Sequence, residues 1–184
     1  AQIAGAIELR SSAGATLTNV VADDGAITVL TNGATQLVNV VSSTDADTND
    51  IEITAASGNI TVETVTAGAG VDGDVTLTAT SGAIVDDGVN GTRVTGDVVT
   101  LRAAGNIGAS GAAGQIDTTA NRLTIESTVA GNVFLDETDA VELTDVRTEN
   151  GSVTITTGGD TDVVLVRSTT DSEANDIAIT ASAG

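Results

Sequence analysis

The chain has 184 residues, with 26 acids set against six arginines and a net charge of −20. Pro, Cys, Met, Trp, Tyr, His and Lys are all absent, and Phe134 is the one aromatic residue. This composition excludes a disulfide scaffold, a nucleic-acid or anionic-membrane partner, since both need a basic face, and membrane insertion through a helix, since no run of eighteen apolar residues occurs. Yet 40% of the residues are apolar, and they alternate with polar ones too strictly for a solvated coil, so an ordered interior of Val, Ile, Leu and Ala is expected.

Taken in chain order, apolar centres fall ten residues apart at Ile7, Leu17, Ile27 and Leu37. They continue at Ile51, Ile60, Val75, Ile84, Val98, Ile107 and Ile116, then resume the spacing of ten at Leu123, Val133, Leu143, Val153 and Val163. The clearest unit is GDVTLTATSGAIVDDG, Gly73 to Gly88: a turn pair, an alternating run, a second turn and a short apolar pair. GAITVLTNG from Gly25, GNITVETV from Gly58, GDVVTLRAAG from Gly96 and GSVTITTGG from Gly151 repeat it. Such runs read as half-buried strands between tight turns, and no stretch carries helical spacing.

A longer period lies over the short one. Shifting the chain by 126 residues places Gly25 on Gly151 and Gly58 on Gly184 without a gap, with 17 of 34 positions identical. Residues 1–126 therefore form one super-repeat and 127–184 part of a second. Ala1 and Gly184 read as cut points within a longer array. No linker separates the copies, which favours coils stacked along one axis over tandem compact modules. The expected fold is all-β, a single continuous parallel β-solenoid with coils of about 20–30 residues, right-handed because parallel crossovers are.

GDVTLTATSGAIVDD, GDVVTLRAAGNIGASG and GQIDTTANRLTIEST resemble the repeats of filamentous-haemagglutinin-type adhesins and related giant bacterial surface proteins. The resemblance is in repeat style and covers the chain from Gly58 to Leu143. It implies a secreted right-handed parallel β-solenoid on a bacterial cell surface. Neither the secretion domain nor a recognisable binding module of that family is present in this sequence.

Several motifs compete with a purely structural reading. Gly68-Ala69-Gly70-Val71-Asp72-Gly73 fits G-x-G-x-x-G, but a strand follows where a dinucleotide site needs a helix, so a turn is expected. Asp45, Asp47, Asn49 and Asp50 offer oxygens at the spacing that opens a Ca²⁺ loop, and Asp171, Glu173, Asn175 and Asp176 repeat it one super-repeat later. The turn glycine and distal Glu of such a loop are missing, so a solvated acidic loop competes with Ca²⁺ binding. Asp23-Asp24, Asp72/Asp74, Asp86-Asp87, Asp136/Glu137/Asp139 and Asp160/Asp162 also fall at turns.

Thr76/Thr78 and Thr154/Thr156 face outward, and a flat ice-binding array is one reading of them. Interspersed Glu52, Glu63 and Glu126 favour ordinary strand surface. Asn59, Asn90 and Asn150 begin N-x-S/T triplets that this composition produces by chance, and turn Asn side chains are expected to hydrogen-bond along the stack. Phe134 takes outward parity. The six arginines are scattered in sequence and are expected to pair with neighbouring acids.

With carboxylates and hydroxyls as the remaining catalytic groups, and no sugar-stacking aromatics, a polysaccharide-active enzyme is disfavoured. The expected role is a stiff, acidic, extracellular stalk that assembles end to end with copies of itself. The alternative is a Ca²⁺-stabilised adhesin module that binds glycans or other cell surfaces.

Overall fold

The structure is a computed structural model that describes residues 2–68, 72–91 and 93–182. The chain is all-β and winds as a parallel β-solenoid of about seven turns. Residues 69–71, the middle of the G-x-G-x-x-G stretch, lie outside the described residues; the strand Val75–Ala79 follows it directly.

The spacing of ten is half a turn. Ile7, Ile27, Ile51, Val75, Val99, Leu123, Leu143 and Val163 stand in one column, each on its predecessor. Leu17 and Leu37 belong to a second column across the tube. Successive members are thus 20 or 24 residues apart, and the beats interleave rather than stack directly. Val and Ile dominate because β-branched chains pack well against the same residue one turn away. Nearly all the inward side chains are aliphatic and fully covered, and they form one continuous core.

Val98, which the spacing marks as a core centre, is only half-buried, and Val99 takes the inward place. The long strand Arg93–Ala103 rounds a corner at Gly96-Asp97, where two consecutive residues are buried and the alternation slips by one. Asp97 is held there by Asn121 and Arg122 of the next turn, at 2.8 and 2.7 Å.

Corners are tight because backbone lies on backbone. Gly58, Gly82, Gly105, Gly131 and Gly151 stack at one corner, and a Cβ on Gly82 would stand 2.0 Å from the Gly58 carbonyl oxygen. Only hydrogen fits such an approach. Amide and carboxylate side chains complete the corners as expected for a stack: the carboxylate of Asp50 accepts from the Asp74 amide, Asp74 accepts from Val98, and Asn132 accepts from Ser152, each one turn on. Inward hydroxyls at strand ends turn back to corner carbonyls, as Thr148 does to Gly131 and Ser42 to Gly25.

Each turn has a straight half, such as Ile27–Thr31, and a kinked half, such as Thr35–Leu37 with Val40–Ser42. In the first turns the straight halves share one face. Val133–Glu137 is a straight strand, yet it stacks on Ile107 and on Ile116–Thr118 of the opposite side. Its kinked partner, Val141–Thr148, stacks on the straight run Arg122–Ser127 across an irregularity at Leu123/Thr124. From here the two halves have exchanged faces. From Ile27 the column takes five steps to Leu143, and Val153, the equivalent of Ile27, then falls on the far side. One super-repeat is therefore about five and a half turns.

Replacing Gly82 or Gly131 with alanine is expected to destabilise the fold by about 2–4 kcal/mol, because the stacked corner backbones must part. Gly88→Ala, at an open position with φ +86, is expected to lose only about 1 kcal/mol. Thermal denaturation of the three variants checks this order.

Candidate functional site

Three features of the molecule carry chemistry: the acidic loops, a carboxyl buried where the halves exchange, and the flat face of straight strands.

The loop candidates are used by the fold. Asn49 is buried, and its amide nitrogen donates to the Asp24 carboxylate at 2.9 Å and to the Thr44 carbonyl at 3.2 Å. Asn175 makes the equivalent pair, to the Asn150 side-chain oxygen and the Thr170 carbonyl, at 2.9 and 3.1 Å. The 126-residue period thus repeats a specific clasp that closes a five-residue loop. The Asp45 carboxylate accepts from the amides of Asp72 and Gly73, each at 3.2 Å, and Asp50 is engaged by Asp74. Asp47, Asp171, Glu173 and Asp176 point to solvent. Among the described residues no three carboxylates converge on one point.

Glu137 is the group that sequence reasoning placed in an acidic turn and the fold places in the core. Parity held the signal: Val133 and Leu135 point inward, so residue 137 does too. Its side chain is fully covered and occupies a column with Thr118 before it and Thr157 after it. One oxygen accepts from the Thr118 hydroxyl at 2.5 Å, and the other from the amides of Ala120 and Thr138 at 3.2 and 3.0 Å. Ala120 lies where the Ile116–Thr118 ladder gives out beside the exchange of halves, and the carboxyl takes the place of a missing carbonyl partner. Burial raises its pKa to about 7, with the Thr118 and Ala120 hydrogen bonds opposing and the Asp139 side chain adding to the rise. Nearby Asp117 is also raised, by burial and by the charges of Asp136 and Asp86, while Arg93 opposes. Asp97 behaves oppositely: burial pushes it up, but the hydrogen bonds from Asn121 and Arg122 hold it below its ordinary value.

On the flat face two outward rows run along the axis. One passes from Glu8 over Thr28, Glu52, Thr76 and Thr100 to Thr124 and Asp145. The other starts at Arg10, crosses Leu30, Thr54 and Thr78 to Arg102, and continues through Glu126 to Arg147 and Arg167. Threonine is interrupted by charge in both rows, so the face is not a uniform hydroxyl array. Expected pairings are present as Arg102 and Arg147 on Glu126, Arg147 on Asp145, Arg10 on Glu8 and Arg122 on Asp97. Phe134 is half-buried beside Thr154 of the next turn.

Below about pH 4.5 Glu137 is neutral whether folded or not and has no effect on stability. Between that value and about 7 the folded chain holds a proton that the unfolded chain releases, so stability falls as pH rises, by up to about 3 kcal/mol in total. Glu137→Gln is expected to raise Tm at pH 8, leave it nearly unchanged at pH 4.5 and flatten the slope between them. Asn49→Ala is expected to cost about 1–2 kcal/mol by orphaning the Thr44 carbonyl and the Asp24 carboxylate. Ca²⁺ and Mg²⁺ at equal ionic strength are expected to raise Tm equally, through screening; calorimetric titration with each ion checks for a Ca²⁺-specific heat.

Comparison with protein-family models, with curated proteins and with solved structures gives no match for this chain.

Proposed function

We propose that the chain is a length of stiff, acidic stalk, built in the manner of the filamentous-haemagglutinin-type surface proteins and exposed outside a bacterial cell. The observation that carries this reading is the continuity of the ladder through the super-repeat boundary. The Asn49 clasp returns as the Asn175 clasp, while strands on both sides of residue 126 stay in one stack. Distance is gained by adding turns to an existing core, and the ladder runs on across the boundary among the described residues. The net charge of −20 supports the same role, because it keeps a long rod soluble and discourages collapse onto an anionic envelope. End-to-end stacking of copies belongs to this proposal.

Chains carrying one, two and three super-repeats test it by small-angle scattering. At about 4.8 Å per turn, each added 126 residues is expected to lengthen the particle by about 26 Å at constant cross-section. Growth as separate beads, or a compact particle, would overturn the stalk.

A further inference from the structure

We propose that Asn90-Gly91 is a self-modification site, where the asparagine side chain closes on the glycine amide and becomes aspartate or isoaspartate, with Asp117 as the base. This inference is independent of the stalk reading. It begins from a comparison within the chain. Asn-Gly occurs three times, at Asn32-Gly33, Asn90-Gly91 and Asn150-Gly151. In each pair the glycine has no side chain to shield its nitrogen, so by sequence alone the three are equal. The fold separates them.

Two of the pairs are locked into the stack. The Asn150 side-chain oxygen accepts from the Asn175 amide at 2.9 Å, and its backbone carbonyl accepts from the Gly131 amide at 3.0 Å. Gly151 is buried, and a Cβ there would stand 2.2 Å from the Gly131 carbonyl oxygen. The Asn32 backbone amide donates to the Ser11 and Ala13 carbonyls, its carbonyl accepts from the Ser57 hydroxyl at 2.8 Å, and Gly33 lies against Gly14. Ring closure turns the peptide plane between asparagine and glycine until the glycine nitrogen meets Cγ. At these two sites that rotation parts one turn from the next, and the ladder opposes it. Asn90-Gly91 instead lies in the loop between the strands Ile84–Asp86 and Arg93–Ala103. Both residues are exposed, and Gly91, at φ +127, has open space where a Cβ would be.

A base is already in place. The Gly91 amide donates to the Asp117 carboxylate, and Asn90, Gly91 and Asp117 line one cavity of about 360 Å³ with Arg93, Asp136 and Glu137. Asp117 also stands beside Asp136 of the next turn and within the fields of Asp86 and Arg93. In the reaction Asp117 takes the Gly91 amide proton as that nitrogen bonds to Cγ of Asn90. The bond from Cγ to the carboxamide nitrogen breaks, the proton leaves with it as ammonia, and a succinimide remains. Water then opens the ring at either carbonyl. One opening gives aspartate; the other reroutes the chain through Cγ and gives isoaspartate. The net exchange is water for ammonia, with nothing oxidised or reduced. Either product sets a new carboxylate beside Asp117 and Asp136.

Timed incubation of the folded chain at neutral pH tests this, with peptide mapping by mass spectrometry that resolves aspartate from isoaspartate. Circular dichroism confirms that each variant is folded. Asn90 is expected to convert at least about tenfold faster than Asn32 or Asn150, a difference set by the cost of opening the stack. In denaturant the three rates are expected to converge. Asp117→Asn and Asp117→Ser are each expected to slow conversion of Asn90 several-fold in the folded chain and to change nothing in denaturant. As pH is lowered from neutral, conversion in the unsubstituted chain is expected to hold level while Asp117 is ionised, whereas in both variants it falls in proportion to hydroxide. Equal rates at the three sites of the folded chain would overturn the proposal. So would conversion of Asn90 that both Asp117 variants leave unchanged, or that follows hydroxide in the unsubstituted chain.

Discussion

Everything in this molecule depends on one constraint: each turn must present its backbone amides and carbonyls to the next at the spacing of a parallel sheet. Buried backbone groups without partners are costly, and a coil has nowhere else to satisfy them. The rest follows from keeping that ladder unbroken. Corners carry glycine because successive backbones touch there. Strand ends carry small or hydroxyl residues because the tube narrows and carbonyls need donors. Corner Asn and Asp side chains take amides that fall outside the ladder.

The exchange of straight and kinked halves is where the constraint comes nearest to failing. A straight strand laid over a kinked pair cannot pair along its whole length, and the Ile116–Thr118 ladder stops short of Ala120. Glu137 closes the gap from inside the core, accepting from Ala120 and Thr118 together. A glutamate reaches where a backbone carbonyl cannot, but its carboxyl has no arginine beside it, so burial shifts its titration to about 7. The joint is completed by a group whose charge opposes it. Continuity of the stack is thus kept at some expense in stability near neutral pH.

The same exchange shapes the outside. In a solenoid whose repeat closes on a whole number of turns, equivalent residues line one side. Here a repeat of five and a half turns sends them alternately to opposite sides, so surface chemistry cannot be read from the repeat alone. Asp136 and Arg10 are equivalent in sequence and opposed in space. Arginines from unrelated positions, Arg10, Arg102, Arg147 and Arg167, meanwhile collect in one row of a single sheet face.

Alternation and glycine spacing determined the fold class, the identity of nearly every inward residue and the stacking of turn asparagines, because strand parity and close approach are local properties written residue by residue. The 126-residue period was equally legible, although Asn49 and Asn175 stood in it as candidate Ca²⁺ ligands and the structure shows them closing equivalent loops. Parity even marked Glu137 as inward, though its acidic neighbours hid the signal. What only the tertiary structure decided is which turn lies on which. That choice depends on loop lengths summed around each coil, such as the excursion at 109–115, and on a corner slip at Gly96-Asp97, and neither has a local signature. It decided that Val99 and not Val98 is core, that loop carboxylates spend themselves on backbone amides, and that scattered arginines form a row. A surface is assembled from residues that meet across turns, and the sequence records only neighbours along the chain.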